Sequence, residues 1–211
     1  MVNARTIQMK WRGWLSVALC VAFVAGAIIG AGSYRSWQKM RQRDAFAPRQ
    51  DMMALSRLRP NIVMLGDSHT ELATWSELTG CPGVANFGIS GNTSADIMAR
   101  LPGVIAARPR VVFLMIGTND ILGGISLDDT ASNVAQITQR LAAENVQVVI
   151  QAIPPLVGRE KSVAALNARL KPTIEPPFTA ADITSDRIHL RASGYAKWRD
   201  AAAPLIAMHC H

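Results

Sequence analysis

Short apolar runs that each stop at a turn residue, separated by stretches long enough for a helix, leave this chain few folds to choose from. Residues 61–65 read Asn-Ile-Val-Met-Leu and stop at Gly66, and residues 110–116 read Arg-Val-Val-Phe-Leu-Met-Ile and stop at Gly117. Val-Gln-Val-Val-Ile at 146–150 is a third run, and the shorter Val-Ala-Asn-Phe at 84–87 is a fourth. Runs that are apolar almost throughout suit strands buried on both faces, as in a parallel sheet. The intervening residues 70–78, 93–107, 127–143 and 160–170 are predicted helical, as is 192–208, with Pro102 kinking or dividing the second of them. This alternation predicts an α/β fold, a three-layer α/β/α sandwich around a parallel sheet. Residues 171–181 are Pro-rich and read as loop, with at most a remnant strand at 178–182.

An open parallel sheet builds its ligand site outside the carboxyl ends of its strands, and the polar words of this chain fall there. Gly66-Asp67-Ser68-His69 follows the first strand, Asn86-Phe87-Gly88-Ile89-Ser90-Gly91 ends the second, and Gly117-Thr118-Asn119-Asp120 follows the third. Asp186-Arg187-Ile188-His189 precedes the last helix. A serine hydroxyl is a weak nucleophile that needs a base within hydrogen-bond reach, so Ser68 calls for an imidazole, and His189 is the candidate. Asp186 is placed to fix its tautomer and to stabilise the imidazolium. The backbone N–H groups of Ser68 and Gly91 and the Asn119 amide supply the donors that a tetrahedral oxyanion requires. Each word alone has a plainer reading. Ser68 can cap a helix, Asn119-Asp120 can be a turn, Gly88 and Gly91 can relieve backbone strain, and Asp186 can cap beside a surface histidine. Their common position at strand ends is what argues for a site.

These residues resemble the SGNH/GDSL hydrolase family, whose blocks carry Ser, Gly, Asn and His. Residues 86–93, 112–120 and 189–195 are similar to the branch of platelet-activating-factor acetylhydrolase-like and lysophospholipase-like esterases. The resemblance implies a flavodoxin-like sheet and no metal or organic cofactor. It also implies Ser68 as nucleophile, Gly91 and Asn119 as oxyanion donors, His189 as base, Asp186 as its orienter and Asp67 in support. His69 departs from the pattern, which usually has an apolar residue there, and reads as lying behind the site or facing substrate. The short segment between Leu170 and Asp186 departs as well, since the family often has a further strand in it.

The net charge of +7 does not mark a nucleic-acid groove. Ten Lys/Arg against two acidic residues fall in 1–60, while the remainder carries twelve basic and thirteen acidic residues. The excess therefore flanks the uncharged stretch 14–32, which is long enough to cross a bilayer core as a helix. Four parts are expected: a basic tail at 1–12, a transmembrane anchor at 13–34, a juxtamembrane linker at 35–59 and a hydrolase domain at 60–211. A cleaved signal peptide shares the pattern of the anchor, and basic residues on both sides leave the orientation open. Trp11, Trp14 and Trp37 bracket the apolar span and suit a lipid interface. Trp75 is expected either in the acyl pocket or in the core, and Trp198 in the core.

Given this fold, the helices before Cys81 and Cys210 end at the edge opposite the site, so the two cysteines are either bridged or free thiols. A bridge places the domain in an oxidising compartment, periplasmic or extracellular. His209-Cys210-His211 reads as a tail and not as a metal site. The expected function is a membrane-anchored serine esterase for small acyl esters, of O-acetyl sugar, glycan or lysophospholipid type. An acyltransferase with a glycan acceptor and a catalytically silent glycan-binding protein are the alternatives. Partners are the ester substrate and the membrane, without nucleic acid.

Overall fold

The structure, a computed structural model, describes residues 49–53 and 59–210, all within the compact unit Pro48–His211. The expected anchor at 13–34 lies outside the described residues. Among the described residues no helix is long and apolar enough to cross a membrane.

Strands β1 (Ile62–Gly66), β2 (Val84–Gly88), β3 (Val111–Met115) and β4 (Gln147–Ile150) form one parallel sheet in the order β2-β1-β3-β4. Ile62 is level with Val84 on one side and with Val111 on the other. Alternation along the strands sorts the apolar side chains to two faces. Val63, Leu65, Val112 and Leu114 pack with helices α3 (Ser94–Ala106), α5 (Leu127–Ala143) and α6 (Glu160–Leu170). Ile62, Met64, Val111, Phe113 and Met115 pack instead with α2 (Trp75–Thr79) and α7 (Ala192–Ala207). The unit Pro48–His211 is thus a three-layer α/β sandwich, and both faces of its sheet are covered. Two short helices, α1 (Ser68–Glu71) and α4 (Thr118–Gly123), sit at the carboxyl ends of the central strands β1 and β3.

Three expectations need correction. The helix expected at 70–78 is broken into α1 and α2, because Asn86 on β2 donates its side-chain amide to the carbonyls of Glu71 (3.0 Å) and Ala73 (2.8 Å). Those bonds satisfy groups that a continuous helix would have used. Pro102 does not divide α3, since it sits on the exposed side, where solvent can reach the carbonyl left without its helical donor. The remnant strand lies earlier than 178–182. Ile174 bridges Gln151 in parallel at the β4 edge, whereas Ala180–Asp182 is a 3₁₀ turn tied by Asp182 Oδ2 accepting from the Thr179 N–H at 2.7 Å.

Cys81 and Cys210 are joined as a disulfide, with Cα atoms 5.7 Å apart and a separation of 129 positions in sequence. Cys81 precedes β2, which places the bridge toward the amino ends of the strands, away from α1. Trp75 belongs to the core, 1% exposed and edge-on to Trp198 with ring centroids 4.9 Å apart.

Candidate active site

The end of β1 turns sharply into α1. Asp67 is the N-cap, its Oδ1 accepting the His69 N–H at 3.0 Å, and Ser68 is the first helical residue. This geometry presents the Ser68 hydroxyl at the sheet edge with its backbone N–H at a helix start, where N–H groups lack internal partners. Ser68 Oγ lies 2.9 Å from His189 Nε2, across 121 residues of chain. His189 Nδ1 lies 2.6 Å from Asp186 Oδ2. With a carboxylate accepting at Nδ1, that nitrogen carries the proton, and Nε2 is left with a lone pair facing the serine.

Asp186 is itself held from several directions. Its Oδ1 accepts from the Thr184 hydroxyl at 2.5 Å, the Ile188 N–H at 2.9 Å and the His189 N–H at 3.0 Å. The Thr184 hydroxyl, then the His189 ring, hold its carboxyl well below the usual carboxylate range. Arg187 completes the turn at φ 70°, and its carbonyl accepts the Val157 N–H at 3.2 Å, which ties this loop to the one following β4.

On the other flank, β2 delivers Gly91 at φ 74° and exposed. Asn119, in α4, donates from Nδ2 to the Asn92 carbonyl at 2.9 Å, so the two segments expected to supply oxyanion donors are bonded to each other. An amide nitrogen has two hydrogens, and the second remains for a ligand. Gly88 is required by close approach: a Cβ there would lie 2.2 Å from the Glu71 nitrogen, in the backbone of the helix that carries Ser68. Arg100, buried on α3, donates to the carbonyls of Gly66 (3.1 Å) and Phe87 (2.8 Å), pinning the ends of β1 and β2 together.

Beneath the surface lies a layer of buried polar groups. Burial pushes the Asp67 carboxyl up to about 7, Asp120 adds to the rise, and the His69 N–H opposes it. Burial also pushes the His69 imidazole down to about 3, and the nearby His189 lowers it further. The His69 ring is tilted against that of His189 with centroids 5.4 Å apart, and neither of its nitrogens has a hydrogen-bond partner among the described residues. Being fully buried, His69 lies behind the site and does not face substrate. Asp120 accepts the Ser94 hydroxyl at 2.6 Å and N–H at 3.0 Å, which locks α4 to the start of α3.

Several of these groups escaped the sequence reading: Thr184 behind Asp186, Arg100 beneath the strand ends, and Glu71, whose Oε2 accepts the Ser90 N–H at 2.6 Å. Glu71 carried a signal, since it lies three residues after Ser68 on the same short helix. The other two are long-range partners that no local spacing marks. A groove of about 500 Å³ runs along β2, lined by Arg49, Met53, Val84, Phe87 and Gly103 among others, and includes neither Ser68 nor His189.

A model of the GDSL-like lipase/acylhydrolase family matches residues 64–197, a span that starts in β1 and ends in α7. Esterase TesA of Pseudomonas aeruginosa is 38% identical over 78 residues, 36% of this chain and 39% of that protein. Thioesterase 1/protease 1/lysophospholipase L1 of Escherichia coli K12 is 32% identical over 100 residues, 45% of this chain and 48% of that protein. The chain thus spans less than half the length of these curated relatives. A solved GDSL-like lipase from Bacteroides thetaiotaomicron shares the fold at a TM-score of 0.67 and 22% identity, covering 78% of this chain and 97% of its own. The match holds Ser68, Gly91, Asn119, Asp186 and His189 within one continuous span of more than half the chain, and on that ground the chain belongs to the GDSL-like lipase/acylhydrolase family.

Proposed function

We propose that the protein is a serine esterase that hydrolyses small acyl esters through an acyl-Ser68 intermediate. The observation that carries this reading is the relay Ser68 Oγ to His189 Nε2 at 2.9 Å and His189 Nδ1 to Asp186 Oδ2 at 2.6 Å. Ser68 Oγ attacks the acyl carbon while its proton passes to Nε2. The oxyanion takes donors from the Ser68 N–H, the Gly91 N–H and the free hydrogen of Asn119 Nδ2. Collapse breaks the ester C–O bond, and the leaving alcohol takes the proton from Nε2. Water then attacks the acyl carbon, giving its proton to Nε2. Cleavage of the acyl–Oγ bond releases the acid and returns that proton to Ser68. Asp186 remains ionised throughout, in keeping with the direction in which its neighbours hold it.

The substrate we assign is an ester of the cell envelope, an O-acetylated sugar or glycan or a lysophospholipid. The uncharged stretch 14–32 supports tethering to a membrane, and the Cys81–Cys210 disulfide supports a domain on the oxidising side, periplasmic or extracellular. The test is a panel of p-nitrophenyl esters from acetate to palmitate, with Ser68→Ala as the control. Turnover confined to the shortest esters points to deacetylation, and turnover rising with chain length points to a lipid. Release of acid that persists undiminished in Ser68→Ala would refute the mechanism.

A further inference from the structure

We infer that Arg49, from the segment ahead of the first strand, is a positioning residue for the oxyanion loop and acts through Glu71. Arg49 Nε donates to the Gly88 carbonyl at 2.7 Å and lies 3.2 Å from Glu71 Oε1. The opposite oxygen of that carboxylate, Oε2, accepts the Ser90 N–H at 2.6 Å and also the Ser90 hydroxyl. Ser90 is the residue before Gly91, and Glu71 ends the helix that Ser68 begins. One carboxylate therefore spans the helix of the proposed nucleophile and the loop of its oxyanion donor, and a guanidinium from outside the sheet fixes the carboxylate.

The arrangement is more than a surface ion pair. Exposed pairs contribute little to stability, but this one has a side chain only 22% exposed at Glu71, and each of its charged groups also bonds the loop, Arg49 at the Gly88 carbonyl and Glu71 at the Ser90 N–H. Oxyanion donors act by being aimed before the reaction, so an error of a fraction of an ångström at Ser90 is felt at the Gly91 N–H. Arg49 lies in the part of the chain read from sequence as the linker to the membrane. By this inference Arg49, within the segment 35–59 read as linker, belongs to the machinery of the domain.

The inference rests on the esterase reading, and its test separates the two. In the 211-residue chain, Arg49→Ala is expected to lower kcat for p-nitrophenyl acetate about tenfold with KM nearly unchanged, below the 10²–10³ of deleting a donor outright. Arg49→Lys is expected to recover part of the loss. In a Glu71→Gln background, where the oxygen facing Ser90 remains but the charge does not, Arg49→Ala is expected to cost clearly less than in the wild-type chain, the remainder being its direct bond to the Gly88 carbonyl. Hydrogen exchange at the Ser90 amide supplies a readout independent of turnover and is expected to quicken in Arg49→Ala. If the wild-type chain cleaves no ester, the functional reading fails and the exchange result still decides the coupling. Wild-type kcat and wild-type exchange in Arg49→Ala overturn the inference, as does a full Arg49→Ala loss in the Glu71→Gln background.

Discussion

Replacing Asp67 by asparagine tests how the buried layer under the site is charged. Asp67 is raised from 3.8 to about 7, so its contribution to stability is complete below about pH 3.8 and is lost as pH rises through 7. His69 is lowered from 6.5 to about 3, so its contribution is complete above pH 6.5 and is lost as pH falls toward 3. Between about pH 4 and 6.5 the folded chain holds a protonated Asp67 and a neutral His69, while the unfolded chain holds a carboxylate and an imidazolium. The proton count is the same in both states, so the two slopes, about −1.4 and about +1.4 kcal/mol per pH unit, cancel. The amide introduced by Asp67→Asn keeps an oxygen for the His69 N–H, resembles the protonated acid in shape and cannot titrate. The stability of Asp67→Asn relative to wild type is therefore expected to rise by about 1.4 kcal/mol per pH unit, about 3 kcal/mol across the window. His69→Leu is expected to tilt by the same amount in the opposite sense while keeping most of the turnover, since the imidazole bonded to Ser68 Oγ is that of His189 and neither ring nitrogen of His69 has a partner among the described residues. Urea unfolding at half-unit steps from pH 4 to 6.5 reads both slopes. A difference between Asp67→Asn and wild type that stays constant over that range would refute the reasoning.

Other perturbations probe the rest of the frame. Asn119→Ala is expected to lower kcat by about 10²–10³ with a small change in KM, because a pre-aimed donor is lost; steady-state kinetics on p-nitrophenyl acetate checks it. Gly88→Ala places a Cβ 2.2 Å from the Glu71 nitrogen, and is expected to cost about 1–3 kcal/mol or more in denaturant unfolding together with activity, since the backbone of α1 must move. Cys81→Ser opens a bridge between residues 129 apart and is expected to cost roughly 2–5 kcal/mol in stability. Turnover of the folded fraction is expected to persist, because the bridge lies toward the other edge of the sheet.

Much of this arrangement was legible along the chain because it is encoded locally. Ile62–Gly66 and Val111–Met115 are apolar throughout, so their burial on two faces follows from composition over a few residues. The words that follow them fall at the carboxyl edge as a consequence of parallel strands, and the meeting of Ser68 with His189 follows from that topology. What the sequence hid is set by contacts between distant segments. The break between α1 and α2 depends on Asn86, which propensity over 70–78 has no means of including. Thr118–Gly123 is too short to show a helical period, yet it orients Asn119 and buries Asp120 against Ser94. The remnant strand is expected at 178–182, where the apolar Phe178 stands, but Asp182 caps a 3₁₀ turn there, and Ile174 bridges Gln151 instead. Arg49 offered only a charge in a basic segment, and its bonds to Gly88 and Glu71 exist only once β2 and α1 are side by side.

The central claim is that His189 activates Ser68 for attack on an acyl carbonyl. Labelling of the chain by a fluorophosphonate, with the modified residue located by peptide mass spectrometry, tests it most directly. A single adduct at Ser68 is expected, formed at least about 10³-fold more slowly in His189→Ala. An adduct at another residue, or labelling of Ser68 at the same rate without His189, would contradict the account.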